Sequence, residues 1–213
     1  MIELYTWTTP NGQKASVMLE ECGLDYSVHP VNLTEGEQHA PDFRKISPNG
    51  RIPGIVDTDI GGGRHTVFES GAILIYLAEK SGQFLPTSEP ARSKCLEWLF
   101  WQMAGVGPML GQANYFINTA DEQIPYAIDR YVSESARLIN VMDGRLAEAE
   151  YLGGDYSIAD IATYPWLAVA FDLIKQAKPD IVGEGAHTKR WLDAIAVRPA
   201  VQKGMAVPDL TAQ

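Results

Sequence analysis

Hydrogen-bond donors crowd one short turn near the start of the chain. Thr8, Thr9 and Asn11, within Thr8-Thr9-Pro10-Asn11-Gly12-Gln13, stand between an extended run, Ile2-Glu3-Leu4-Tyr5-Thr6, and apolar residues at Ala15, Met18, Leu19 and Cys22. Those apolar residues repeat at helical spacing, so the turn falls at a helix N-terminus. Backbone N–H groups and the helix dipole favour an anion there. Hydroxyl and amide donors at the same place stabilise the charged form of an acid and lower its pKa. If the site handles sulfur, the ordinary thiol pKa of about 8.5 matters, because only the thiolate is nucleophilic. The turn itself contains no cysteine. A thiolate handled here must come from a ligand. Thr and Asn are also common turn and cap residues, which is the plainer account of the same positions. Tyr5, on the strand before the turn, is either a rival donor or a packing residue.

Two further segments carry chemistry. Glu69-Ser70 precedes an apolar repeat at Ile73, Leu74, Leu77 and Ala78. Ser70 is a good helix N-cap, and Glu69 brings a negative charge just before it. Together they suit an amino-acid head group, with helix N–H groups taking an α-carboxylate and Glu69 an ammonium; a plain cap is the alternative. Ile52-Pro53 is the second. A cis bond there turns the chain sharply and exposes N–H and C=O groups, whereas a trans proline fits a strand edge. Ser157-Ile158-Ala159-Asp160 has the form of a capping box with Asp in the N3 place, and Tyr156 and Ile161 stand where a hydrophobic staple would; this reads as structural.

The elements that must position these residues fall in two parts. Residues 1–81 alternate as β-α-β-α-β-β-α: strand 2–6, helix 13–22, strand 28–33, a helical turn near 41–46, strands at Ile55-Val56 and Thr66-Val67-Phe68 around a Gly61-Gly62-Gly63 hairpin loop, and a helix from Ser70. Residues 82–89 hold prolines and turn formers and read as a linker. Residues 90–213 read as an all-helical domain, with two long antiparallel helices and shorter ones near 157–171 and 187–196. Trp98, Phe100 and Trp101 read as core, and Cys22 and Cys95 as buried, inert thiols.

Composition sets bounds. A chain of 213 residues can bury a full core in one large domain or two small ones. A formal charge of −10, spread along the chain, argues against nucleic acid as a partner. No run of about 18 apolar residues occurs, which argues against a membrane span. Two cysteines 73 positions apart form neither a disulfide framework nor a zinc pattern, and no metal site is expected. With no signal-peptide pattern at Met1-Ile2-Glu3, a cytoplasmic location is expected.

A thioredoxin-like domain followed by a linker and a helical domain resembles the cytosolic glutathione S-transferases over nearly the whole chain. The resemblance is carried by Thr9-Pro10-Asn11-Gly12, Ser47-Pro48-Asn49-Gly50-Arg51-Ile52-Pro53, Phe68-Glu69-Ser70-Gly71-Ala72-Ile73 and Tyr156-Ser157-Ile158-Ala159-Asp160. The first of these, with Trp101-Gln102 and Gly111-Gln112, most resembles the bacterial Nu class of glutathione-dependent disulfide-bond reductases. The resemblance implies the glutathione transferase fold, an α/β thioredoxin-like domain plus an all-α bundle, and a homodimer with its cleft near the subunit boundary. It implies glutathione as reduced co-substrate, or bound as glutathione disulfide. It puts Thr9 and Asn11 beside the glutathione sulfur as catalytic residues. It makes the Ile52–Pro53 bond cis, with the Ile52 backbone pairing the cysteinyl part. Glu69 and Ser70 then hold the amino-acid head group, Gln38 approaches the glycyl end, and Arg130 approaches the peptide. Ala40 departs from the pattern, since relatives often place a basic residue there; His39 or Lys45 are the substitutes at hand.

The implied reaction is reduction of a small-molecule disulfide by bound glutathione thiolate. Conjugation of glutathione to an electrophile, or peroxide reduction, is a second reading, for which Met109, Leu110, Tyr115 and Phe116 would supply an apolar pocket. A non-catalytic interaction module is the third.

Overall fold

In the computed structural model, which describes residues 1–61 and 63–210, the first run forms strand β1 (Ile2–Thr6). Ile2, Leu4 and Thr6 are buried on one face, and Glu3 and Tyr5 are half-buried on the other. That is the period of a strand covered more fully on one side. β1 pairs in parallel with β2 (Tyr26–Pro30) and antiparallel with β3 (Gly54–Ile60), which pairs antiparallel with β4 (Gly63–Phe68). The strand order is β2-β1-β3-β4. Helices α1 (Pro10–Cys22) and α3 (Ser70–Ser81) build the core with the sheet, with Leu4, Met18, Leu19, Ile55, Ile73, Leu74 and Leu77 fully buried. The short helix α2 (Pro41–Ile46) buries Phe43, whose ring meets Tyr5 at 6.4 Å between centroids. This is the thioredoxin-like sheet expected from the alternating pattern. Two boundaries differ from the sequence reading. α1 starts at Pro10, whose fixed φ suits the first helical position, and β2 lies two to three residues earlier than its apolar run indicated. Of the expected hairpin loop, Gly62 lies outside the described residues.

The second part is helical. α4 (Ala91–Trp101) passes through a π-helical turn, Gln102–Val106, into α5 (Gly107–Asn118). Then come α6 (Pro125–Glu148), α7 (Ile158–Ala177), α8 (Pro179–Val182) and α9 (Ala186–Ala196). Its β contact among the described residues is the isolated bridge Tyr151–Gly154. The capping box forms at α7: Ser157 N–H donates to Asp160 Oδ2 at 3.0 Å, and Ala159 N–H to Ser157 Oγ at 3.3 Å. Asp160, fully buried, also accepts from Leu152 N–H and from the Trp191 indole at 2.8 Å. Phe100 corrects the sequence reading: it is 61% exposed, on the solvent side of α4.

The chain divides into two compact units, Met1–Leu85 with Ala196–Gln213, and Pro86–Ile195. The C-terminal segment thus returns to the first unit, whereas the sequence division left all of 90–213 in the helical part. Helix α10 (Pro199–Met205) lies on α1. Ser16 Oγ donates to the Gly204 carbonyl at 2.7 Å and Gln13 Nε2 to the Met205 carbonyl at 3.0 Å. Arg198 forks onto Glu21 at 2.7 and 2.8 Å, and Lys203 pairs with Glu20 at 2.8 Å. The two helices approach so closely that a Cβ on Gly204 would lie 2.5 Å from the Val17 Cα.

Candidate active site

Thr9 is the N-cap of α1, with extended backbone at φ −133° and ψ 157°. Its Oγ1 accepts the Gly12 N–H at 3.3 Å, and its own N–H donates to the Trp7 carbonyl at 2.8 Å. A hydroxyl has one proton and two acceptor lone pairs. The cap uses a lone pair, so the Thr9 proton remains for an acceptor beyond the helix end. Pro10 and Asn11 follow in the first turn, and Thr9 and Asn11 are both half-buried. Gly12 allows this geometry, because a Cβ there would meet the Trp7 carbonyl at 2.3 Å and Thr6 Oγ1 at 2.5 Å.

Tyr5 lies on the opposite sheet face. Its ring stacks on His29 at 4.7 Å, and its hydroxyl donates to Glu3 at 3.3 Å. Burial first, then the Glu3 charge, push the phenol above its ordinary pKa. It lines an open recess of about 660 Å³ with His29, Phe43, Lys45 and Arg64. Its proton is held there, away from the α1 turn.

A second group of residues gathers at the start of α3. Ile52–Pro53 is cis. Ser47 Oγ donates to the Arg51 carbonyl at 2.8 Å and braces the loop before it. Gly50, in the left-handed region at φ +63°, lets this loop pass Gln38: a Cβ there would stand 3.2 Å from the Gln38 carbonyl. Asn49 Nδ2 reaches Glu69 Oε1 at 3.5 Å. Glu69 has φ +71° and ψ 117°, a conformation that costs a non-glycine residue on the order of 1–3 kcal/mol. The N-cap position of α3 belongs to Glu69, not to Ser70 as the sequence indicated. Ser70 is the first helical residue, and the Glu69 side chain makes no cap hydrogen bond. A helix start of this kind favours an anion. The Ser70 hydroxyl turns inward, where Lys14 Nζ donates to it at 3.5 Å.

Lys14 is the residue the sequence reading passed over. It is 1% exposed, and burial lowers its pKa to about 7, offset in part by the Glu69 charge. The signal was present: Lys14 precedes Val17 by three and Met18 by four, on the apolar stripe of α1. Gln38 sits in a 3-10 turn, Glu37–His39. Its Nε2 meets His39 Nε2 at 3.3 Å, and its buried Oε1 has no hydrogen-bond partner among the described residues. Lys45 pairs with Asp42 at 2.6 Å, and both are exposed.

In the second unit, Arg130 is exposed on α6 and lines an open recess of about 690 Å³ with Met109, Tyr126, Tyr131 and Arg137. Phe116 stacks on Tyr131 at 5.5 Å and meets Tyr115 edge-on at 5.3 Å. Both cysteines are free. Cys95 is buried as expected, but Cys22 is only half-buried, beside Ser81 Oγ at 3.2 Å. Burial raises both thiols, so neither is a ready nucleophile. Among the described residues no cluster of His, Cys, Asp or Glu could hold a metal ion, and no helix is long and apolar enough to cross a membrane.

Residues 1–79 match the glutathione S-transferase N-terminal domain. The chain is 46% identical over 208 residues to the disulfide-bond oxidoreductase YfcG of Escherichia coli K12, covering 96% of this chain and 94% of that protein. It resembles a glutathione transferase of Pseudomonas putida solved with one glutathione disulfide per subunit, with a TM-score of 0.90 and 42% identity over 97% of this chain and 91% of that one. A family member from Pseudomonas fluorescens with two glutathione molecules bound gives 0.91 and 42%, over 97% and 93%. Matched in its first domain and aligned with such relatives along nearly their whole length, the chain belongs to the glutathione S-transferase family.

Proposed function

We propose that the protein is a glutathione-dependent disulfide reductase whose nucleophile is the thiolate of bound glutathione. One observation carries the reading. At the α1 N-terminus the Thr9 hydroxyl caps the helix through a lone pair and keeps its proton for an acceptor, and the turn holds no thiol of its own. A thiolate there gains a charge-assisted hydrogen bond and the helix dipole, and both favour the anion.

The remaining roles follow from position. Thr9 and Asn11 hold the sulfur. The backbone of half-buried Ile52, before the cis bond to Pro53, pairs the cysteinyl unit as an added strand does. The start of α3 at Ser70 takes the α-carboxylate of the head group and Glu69 its ammonium. Gln38 meets the glycyl end through an amide oxygen that lacks a partner among the described residues. Arg130 meets the peptide. We assign residues 1–81, with the α10 segment packed on α1, to the glutathione-binding domain and 82–89 to a linker, with the rest of the helical domain beyond.

Glutathione, as substrate, supplies the sulfur nucleophile and the reducing equivalents. Its thiolate displaces one thiolate from the disulfide, and a second glutathione thiolate displaces the other. Two glutathione thiols and one disulfide become glutathione disulfide and two thiols, and the leaving thiolates take up the protons released. The name of the Escherichia coli relative and the glutathione disulfide held by the Pseudomonas putida enzyme support this chemistry. We further propose a homodimer in the cytoplasm; Phe100 and Phe68, 61% and 38% exposed, are apolar surface that a partner subunit would cover.

Transfer of glutathione to an electrophile, or peroxide reduction, is the second reading; its support is a recess within the helical unit with Met109, Tyr126 and Tyr131 in its lining. Turnover of reduced glutathione with hydroxyethyl disulfide, a chloronitrobenzene and an organic peroxide separates the readings. The proposal requires the disulfide to be the best substrate. Preference for the aromatic electrophile overturns it.

A further inference from the structure

Lys14 has no part in the scheme above, yet it lies directly under the helix start that the scheme uses. Its ammonium nitrogen is 3.5 Å from the hydroxyl of Ser70, the first residue of α3, and both side chains are buried. This is a costly arrangement in two ways. Burial disfavours any charged group. The N-terminus of a helix also carries positive partial charge, so a cation there is repelled. An apolar residue on the same stripe would fill the space without either cost.

The neighbours define what the charge faces. On α3, Glu69 bears on Lys14 and favours its protonated form, while Lys80 pairs with Asp57 at 2.8 Å near the far end of the helix. On the C-terminal segment, Arg198 and Lys203 are matched to Glu21 and Glu20. On β1, Glu3 is matched to Arg64. Glu69 is exposed and held at φ +71°, so its carboxylate is screened by solvent.

Resting on the glutathione reading above, we infer that Lys14 is a positioning residue for the amino-acid head group. Its buried ammonium, acting through the Ser70 hydroxyl, is the counter-charge that the ligand α-carboxylate meets at the start of α3. The ligand brings a second negative charge to the buried side of this helix start. An opposite charge within a few ångströms favours the charged form of a base. Binding and protonation of Lys14 are therefore coupled, and each strengthens the other. In the free protein Lys14 sits near half-protonation at neutral pH, with its pKa at about 7. In the complex it is held protonated.

The test uses S-methylglutathione, which has the head group but no ionisable thiol. Calorimetric titrations in two buffers of different ionisation enthalpy give the protons taken up on binding. Wild type takes up about 0.75 proton at pH 7.5, the fraction of Lys14 that is neutral there, and its affinity falls about 25-fold from pH 6.5 to 8.5. Lys14→Met binds weakly at all pH values with no such uptake. Lys14→Arg, charged throughout, keeps tight binding at pH 8.5 and shows no such uptake. The ligand's own ammonium contributes equally to all three proteins. Binding by wild type with no proton uptake and a flat pH profile overturns the role of Lys14 and leaves the glutathione reading intact. Absence of any S-methylglutathione binding overturns both.

Discussion

Replacing Gly204 by alanine tests whether the C-terminal helix is built into the glutathione-binding unit. A Cβ at Gly204 would lie 2.5 Å from Val17 Cα and 2.6 Å from Val17 N, about 0.9 Å short of ordinary contact at 3.4 Å. The obstacle is backbone in the middle of α1, so no rotamer change relieves it, and α10 must back away. Overpacking of this kind costs about 1–3 kcal/mol. The same movement stretches the Ser16–Gly204 hydrogen bond, now 2.7 Å and worth about 1 kcal/mol. Opposing both is the better helix propensity of alanine, about 1 kcal/mol. The net is a loss of about 2 kcal/mol, or about 4–8 °C in Tm for a chain of this size. Gly144→Ala is the matched control. Gly144 lies inside α6 with nothing within 4 Å of an added Cβ, so only the propensity remains and the variant gains about 0.5–1 kcal/mol. The assay is thermal unfolding followed by circular dichroism, with disulfide turnover alongside. Because α1 carries Thr9 and Asn11, Gly204→Ala also slows turnover. Equal stabilisation by both alanines would refute the close packing of α10 on α1.

Further outcomes follow from the same contacts. Glu69→Gln weakens glutathione binding by about 1.5–3 kcal/mol, the range for a hydrogen bond to a charged group, as read by calorimetry; unchanged affinity contradicts its contact with the ammonium. Cys22→Ser and Cys95→Ser leave disulfide turnover largely intact, whereas loss of turnover in either folded variant would show that a protein thiol takes part. Asp160→Asn turns an amide N–H₂ toward the donors from Leu152, Ser157 and Trp191, costing about 1–3 kcal/mol for each donor left unpaired in denaturant titrations. For Lys14, the folded pKa of about 7 lies below the ordinary 10.5, so the unfolded chain holds the extra proton in that window. The stability of wild type relative to Lys14→Met therefore rises with pH between about 7 and 10; a constant difference in urea midpoints at pH 7, 8 and 9 contradicts the buried ammonium.

The parts of the molecule governed by local rules were legible in the sequence. The α7 start formed as its Ser157 and Asp160 spacing required, and the β-α-β-α-β-β-α order followed from periodicity and turn residues. The Thr9 turn was recognisable because a strand pattern changes to a helix pattern across it. What escaped depends on contacts between distant segments. Ser70 reads as a cap by residue type, yet the cap position is taken by Glu69 in a left-handed conformation, and no local rule assigns that conformation to a glutamate. Lys14 stands on the apolar stripe of α1, but its contact with Ser70 shows only once α3 is placed over it. Helix α10 has too few apolar residues to announce its partner, and Gly204 shows its purpose only once Val17 lies against it. Phe100 is apolar at helical spacing but faces outward, since periodicity fixes a stripe and not what covers it.

The central claim is that Thr9 and Asn11 stabilise the thiolate of bound glutathione. Thiolate absorbance of bound glutathione against pH, in wild type, Thr9→Ala, Asn11→Ala, the double variant and Tyr5→Phe, tests it most directly. Each single change raises the bound thiol pKa, and every tenfold loss of acidity corresponds to about 1.4 kcal/mol of differential interaction. The double variant titrates at the highest pH, because only the helix terminus remains. Tyr5→Phe leaves the titration in place, as expected of a phenol held by Glu3 on the opposite sheet face. An unmoved titration in the double variant, with a large alkaline displacement in Tyr5→Phe, would contradict the account and transfer the role to the tyrosine.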